Sequence, residues 1–238
     1  MAFSTPKSYF RAGFRDGAPF ILVAIPFGTL FGVLATEAGL SLIETMTFTF
    51  TVFAGAAQFT ALQLLQEETP TVIVLASALA VNLRVAMYSA SLTPYLGAAP
   101  LWQRAVAAYF TVDQSYACSM IRFEQEPQMT VPQRMAYFFG TVTPIAPMWY
   151  MATLAGAALG TQIPESWALD FALPIAFIAM AAPMLRTPAH MIAAFVSIVV
   201  VLLAGAVPYN LGLIIAGIAG MMAGAHAEVV FERRKEAV

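Results

Sequence analysis

The sequence predicts an all-α polytopic membrane protein with seven or eight transmembrane helices, several of them broken at Pro or Gly. Three observations predict it. Of 238 residues, 60% are apolar and only 10% are charged. A soluble domain carries roughly 25% charged residues, so this chain could not cover a water-facing surface. Mean hydropathy is +0.78. The apolar residues run in stretches of about 20, the length a helix needs to cross a hydrocarbon core of about 30 Å. Strands of a membrane barrel would instead alternate apolar and polar over about ten residues.

Eight stretches fit: 18–36, 45–65, 71–96, 103–121, 135–159, 167–185, 189–207 and 210–226. Residues 1–17 carry Lys7, Arg11, Arg15 and Asp16 and lead straight into the first, which reads as a signal anchor. In the second, Thr45-Met46-Thr47-Phe48-Thr49-Phe50-Thr51 alternates like a strand, but its flanks do not. It reads as a helix whose threonines bond back to the preceding turn. The run Phe53-Ala-Gly-Ala-Ala57 behind it is small enough to let a helix break. Pro26, Pro94, Pro147, Pro174 and Pro183 fall inside apolar stretches, where each removes a backbone bond and kinks or opens its helix. Only Pro208-Tyr209-Asn210 separates the last two stretches. The connections are short, so residues 1–238 form a single transmembrane domain with tails at 1–17 and 227–238. With both tails cytoplasmic, nine of the 11 Lys and Arg residues lie inside and only Arg104 outside.

Two halves, 14–121 and 135–226, resemble each other. Thr29-Leu-Phe-Gly32 matches Thr153-Leu-Ala-Gly156, and Phe53 falls opposite Phe177 at the same offset. An internal structural repeat and a chance likeness among small residues both fit; with four crossings between equivalents, the repeat would be parallel. Gly28 and Gly32, Gly156 and Gly160, and Gly220 and Gly224 form G-x-x-x-G pairs. Such pairs pack helices within a bundle or receive a partner subunit.

Ionisable residues inside a bilayer cost about 2.5–3.5 kcal/mol each on insertion scales, so those that remain have a reason. Arg84 sits mid-way along the third stretch, with Ser77, Tyr88 and Ser91 on its helical face. Asp113 sits mid-way along the fourth, between Tyr109 and Tyr116. An Arg84–Asp113 ion pair follows, either as a structural lock or as part of a substrate or proton path. Gln58 and Asn82 are the other polar groups at depth. Glu124 and Glu126, at a span end, read as solvated.

Other chemistries are excluded or unsupported. Net charge is −2, with no basic patch to hold nucleic acid. There is no phosphate-binding glycine loop, so no ATPase module in this chain. His190 and His226 lack ligand spacing, so neither metal nor other cofactor is expected. No nucleophile–base grouping points to an enzyme. The single Cys118 cannot form an intrachain disulfide.

Three motifs together resemble the AzlC-type branched-chain amino acid permease family: Phe53-Ala-Gly-Ala-Ala-Gln-Phe59, Val81-Asn-Leu-Arg84 with Tyr88-Ser-Ala-Ser-Leu-Thr-Pro-Tyr-Leu96, and Thr111-Val-Asp-Gln-Ser-Tyr-Ala117. Phe14-Arg-Asp-Gly17 with Ile25-Pro-Phe-Gly28 is similar to the start of such proteins. The resemblance implies ion-gradient-driven export of branched-chain amino acids across the inner membrane, with a small AzlD-type membrane subunit as partner. Relatives often carry an acidic residue where this chain has Gln114 and a histidine where it has Val85, which leaves Asp113 as the motif's carboxylate.

The expectation is a secondary exporter of L-valine-like amino acids. Phe53, Gly55, Ala56 and Phe59 would shape an apolar pocket; Gln58, Asn82 and Tyr88 would hold the zwitterion with freed backbone. Asp113 would carry the coupling proton and Arg84 would set its charge state. A non-transporting scaffold or assembly subunit would use the same G-x-x-x-G faces and need no titratable residue; a permease for another small solute is the other alternative.

Overall fold

A computed structural model of the chain describes residues 5–160, 178, 185–207 and 211–236. Among the described residues all regular structure is helical. The chain forms two compact units: Met1–Gln58 with Asn82–Leu169, and Phe59–Val81 with Asp170–Val238.

In the first unit, α1 (Pro6–Gly17) and α2 (Ile21–Glu37) join through one 3-10 turn, Ala18–Phe20. Together they make a rod of 32 residues. The expected tail at 1–17 is therefore mostly helix. Thr5 caps it, Pro6 stands in the first turn, and Tyr9, Ala12, Gly13 and Gly17 form its buried stripe. Pro26 lies inside α2 without ending it. A second rod of 30 residues is built from α8 (Val131–Val142) and α9 (Ile145–Gly160). Pro147 stands in the first turn of α9, where proline is tolerated.

The two rods touch backbone to backbone. A Cβ on Gly13 would strike the Tyr137 carbonyl, one on Gly17 the Thr141 carbonyl, and one on Gly32 the Thr153 carbonyl. From the other rod, a Cβ on Gly156 would strike the Thr29 carbonyl and one on Gly140 the Phe10 carbonyl. Contacts advance together along both rods, so the rods run parallel. Thr29 meets Gly156 while Gly32 meets Thr153, a reciprocal exchange of the kind a twofold axis along the rods generates.

Two expected spans are each two helices. The 45–65 stretch is α3 (Leu42–Thr51) and α4 (Gly55–Gln66), separated by Val52-Phe53-Ala54. The 103–121 stretch is α6 (Leu101–Tyr109) and α7 (Asp113–Gln125), separated by Phe110-Thr111-Val112. Neither break contains a proline; the first lies at the leading edge of the small-residue run Phe53-Ala-Gly-Ala-Ala57, where a break was expected. The Thr45–Thr51 stretch is helical, and Thr51 bonds back to the carbonyls of Thr47 and Phe48 as expected. A capping box starts α3: Ser41 Oγ accepts from the Glu44 amide and Glu44 accepts from Ser41. Those bonds from the Ser41 hydroxyl and amide hold the Glu44 carboxyl below its ordinary value. Between the broken spans runs α5 (Thr71–Leu96), unbroken despite Pro94.

In the second unit, α10 (Pro188–Leu203) lies against α11 (Leu211–Glu236). Gly220 packs on Ser197 and Gly224 on Ala193, and Ser197 donates to the Ala216 carbonyl at 3.1 Å. All three G-x-x-x-G pairs thus pack against helices of this chain. The helix α11 continues through most of the expected 227–238 tail. The 167–185 stretch, apart from Ile178 and Leu185, and Pro208-Tyr209-Asn210 lie outside the described residues. Among the described residues, four helices are long and apolar enough to cross a membrane: the two rods, α5 and Leu211–Phe231.

Overpacking a tight contact costs about 1–3 kcal/mol. Gly156→Ala should lower unfolding stability in detergent by that amount, because its Cβ meets backbone that cannot yield. Gly217→Ala, with nothing within 4 Å, should leave stability unchanged or raise it by up to about 1 kcal/mol.

Candidate functional site

The two breaks lie beside each other. The Phe53 ring, from the first break, packs edge-on against Phe110 of the second, with centroids 5.5 Å apart. Tyr109, the last residue of α6, donates its hydroxyl to the Phe50 carbonyl near the end of α3 at 2.5 Å. It then accepts from the Tyr150 hydroxyl at 2.9 Å. A carbonyl freed where α3 stops is thereby satisfied by a side chain from the other broken span. The rings of Phe50, Phe53, Tyr109, Phe110 and Tyr150 form one aromatic wall.

Local chemistry explains the second break. Thr111 Oγ1 donates to the Ala107 carbonyl at 2.8 Å and closes α6. Ser115 Oγ accepts from the Val112 amide at 3.0 Å and lies within hydrogen-bond distance of the Phe110 and Val112 carbonyls. Ser115 is fully buried, so this stitching replaces the water that a membrane interior lacks. Asp113 follows as the first residue of α7, where the helix dipole favours an anion. Placing Asp113 mid-helix with Tyr109 on its own face is therefore corrected: Tyr109 belongs to the preceding half-helix.

Arg84 and Asp113 meet. Arg84 Nη1 is 3.1 Å from Asp113 Oδ2, and Tyr88, one turn along α5, donates to Asp113 Oδ1 at 2.8 Å. Tyr116 of α7 stacks on Tyr88 at 4.2 Å with 12° between the planes. This places Arg84, Tyr88 and Asp113 in one cluster. Asn82, two residues before Arg84, is not joined to it by any hydrogen bond seen among the described residues; its Oδ1 is buried without a partner there.

At the first break, Phe53 and Gln58 are buried while Gly55 and Ala56 are half-buried. Phe59 is fully buried and belongs to the second unit. Gln58 is 0% exposed, and neither its amide nitrogen nor its oxygen has a partner among the described residues. Each buried polar group left unpaired costs about 1–3 kcal/mol, so Gln58 is an exception that asks for a reason. From α9, Trp149 Nε1 donates to Thr49 Oγ1 at 2.9 Å, and its ring rests on Gly55.

A second polar cluster was not expected from sequence. Arg122 reaches Asp16 Oδ2 at 3.1 Å and Glu126 Oε1 at 2.8 Å. Tyr137 donates to Asp16 Oδ2 and Tyr9 to Glu126 Oε2, both at 2.7 Å. The reading of Glu126 as solvated is corrected: its side chain is 22% exposed and tied to two partners. The i,i+4 spacing of Arg122 and Glu126 is the signal that finds half of this cluster. Nothing local points to Asp16, which lies 106 residues away.

Comparison with known proteins follows from the same residues. The family model described as "AzlC protein" matches residues 19–163, which takes in both rods' main contact, both breaks and the Arg84–Asp113 pair. Over 174 residues the chain is 25% identical to "Inner membrane protein YgaZ" of Escherichia coli (strain K12), covering 71% of this chain and 70% of that one. Over 183 residues it is 27% identical to an "Uncharacterized membrane protein" of Archaeoglobus fulgidus, covering 76% and 78%. No solved structure matches.

Removing one member of a charge pair strands the other, whereas removing both does not. Arg84→Gln and Asp113→Asn should each lower the unfolding temperature in detergent, and the double variant should recover most of either loss. Equal or additive losses would show that the pair adds nothing to stability.

Proposed function

The chain belongs to the AzlC family, and from that premise we propose that it is the large subunit of a secondary exporter of branched-chain amino acids such as L-valine. One observation carries the reading: two broken spans meet at their breaks, with an ion pair at the start of one half-helix. Backbone that leaves a helix at membrane depth is tolerated where it is buried or lines a path. Half-helix ends beside one another are how many secondary transporters hold small charged solutes. The aromatic wall suits an apolar side chain, and Gly55, Ala56 and Gln58 follow directly after the first break.

Transport then divides between the two breaks. The amino acid occupies the first, beside Phe53 and Gln58, with Asn82 and Tyr88 on its approach. The second carries the ion coupling. Asp113 takes up the coupling proton in a state in which Arg84 has turned away, and Arg84 restores the pair afterwards. Tyr88 orients the carboxylate by donating to Oδ1. A small AzlD-type membrane subunit completes the permease. The protein resides in the inner membrane, as the name of its Escherichia coli relative says of that protein, and both termini face the cytoplasm.

Cells lacking their own exporters, fed branched-chain dipeptides, test the reading. Valine, leucine, isoleucine and methionine are followed inside and outside over minutes, with and without this chain and the small subunit. Faster efflux that needs both chains is expected. Unchanged efflux of all four, with the protein in the membrane, removes this substrate class. Asp113→Asn should abolish gradient-driven efflux and spare amino acid exchange; loss of both with the protein folded would take the coupling role from Asp113.

A further inference from the structure

The outer face of α1 is basic, and its counterpart on the second rod is not. The rods meet at residues 124 apart: a Cβ on Gly13 would meet Tyr137, one on Gly17 Thr141, one on Gly28 Ala152 and one on Gly32 Gly156. The same offset makes Val131, Met135 and Phe139 of α8 the counterparts of Lys7, Arg11 and Arg15 of α1. On α8 these three are apolar and covered: they line one cavity with Pro100, Trp102 and Gln103, and Met135 is buried. On α1 all three are exposed.

Lys7, Arg11 and Arg15 recur every four residues, so they form one stripe along the helix. Phe10 and Phe14 stand three residues after Lys7 and Arg11, beside the stripe, and both are exposed. The stripe is not neutralised from within. Arg15 Nε is 4.0 Å from Asp16 Oδ1, but the Arg15 side chain is 89% exposed, and Arg122 and Tyr137 hold the other Asp16 oxygen. Lys7 and Arg11 have no ion-pair partner among the described residues.

The bilayer decides what meets this face. At 1.5 Å per residue the 32-residue rod is about 48 Å long, and the hydrocarbon core takes about 30 Å of it. Residues 17–36 carry no charge and fill that core. The 12 residues of α1 are left over. The headgroup layer adds about 5–8 Å on each side, and Arg15 and Arg11 stand about 3 Å and 9 Å past Gly17, level with the lipid phosphates. On the core side of them Leu22, Val23 and Ile25 of α2 are exposed. Positive charge at headgroup depth, continued by open apolar surface at acyl-chain depth, matches an anionic phospholipid.

We propose that Lys7, Arg11 and Arg15 form a binding site for the phosphate of an anionic phospholipid, whose acyl chains lie along α2. The phosphate sits between Arg11 and Arg15, one helical turn apart, where guanidinium groups pair with its oxygens. Lys7 adds a third charge further out, and Phe10 and Phe14 pack beside the glycerol region. The site is independent of what the chain transports.

The full-length chain in nonionic detergent tests this. Bound lipid is counted by native mass spectrometry while phosphatidylglycerol or phosphatidylcholine is titrated in. The first phosphatidylglycerol should bind at least tenfold more tightly than the first phosphatidylcholine. Lys7→Gln, Arg11→Gln and Arg15→Gln together should remove that preference, and Arg104→Gln, a basic residue elsewhere, should leave it intact. Near a membrane each basic residue contributes about fivefold, so if the triple variant does not fold, a loss of that size in each single variant decides. Equal affinity of the wild-type chain for the two lipids would overturn the proposal, as would a triple variant that keeps the preference or an equal loss in Arg104→Gln. Displacement of the lipid by millimolar inorganic phosphate would overturn the lipid assignment in favour of a free anion.

Discussion

Backbone-to-backbone contact between the two long rods sets the geometry of the first unit. Glycine at 13, 17, 32, 140 and 156 brings carbonyls of one rod to where side chains would otherwise stand. In lipid, helices gain little from burying apolar surface against each other, so close van der Waals packing has to hold them. That contact is intolerant of added atoms because it is made by main chain on both sides. It also fixes where side chains on the outer faces of the rods can reach. Trp149 and Tyr150 project from α9 to α3 and α6, while Asp16 and Tyr137 project from α1 and α8 to Arg122 on α7. The broken spans are positioned by these long side chains against a rigid frame.

The helix α7 connects the two polar clusters. Asp113 stands at its first residue, and Arg122 and Glu126 at its other end. Its charged ends are tied to different elements: Arg84 of α5 at one end, Asp16 of α1 at the other. Its junction with α6 is three residues held by Ser115 and Thr111. Charge pairs hold this short helix at both ends, and hydroxyls hold its junction. In a medium of low dielectric, such pairs are strong when complete and costly when broken.

Much of the candidate site was legible in the sequence because charge at membrane depth is rare. Arg84 and Asp113 stood out against apolar neighbours, and each needed a partner, so their pairing followed from cost alone. The small residues of Phe53-Ala-Gly-Ala-Ala57 pointed to a break, and the break lies at their leading edge. The second break was not legible as such. Its signal is Asp113 and Ser115 at the start of a helical turn, which hydropathy windows average away. The described prolines inside apolar stretches leave their helices continuous for a physical reason. A proline in the first turn, such as Pro147, loses no bond, and α2 and α5 continue past Pro26 and Pro94.

The sequence by itself determined the helical membrane class, the order of the apolar segments that the described residues take in, and the Arg84–Asp113 pair. These depend on composition and on short spacings, and the bilayer enforces them residue by residue. Tertiary structure alone decided which helices touch, that an indole 100 residues away bridges the first break, and that Asp16 completes a cluster with Arg122 and Glu126. The physical reason is the solvent. In water, burial separates core faces from surface faces and writes that difference into a helix; in lipid both faces are apolar. Helix partners are then chosen by small residues and single polar contacts, which show their meaning once the chain has brought them together.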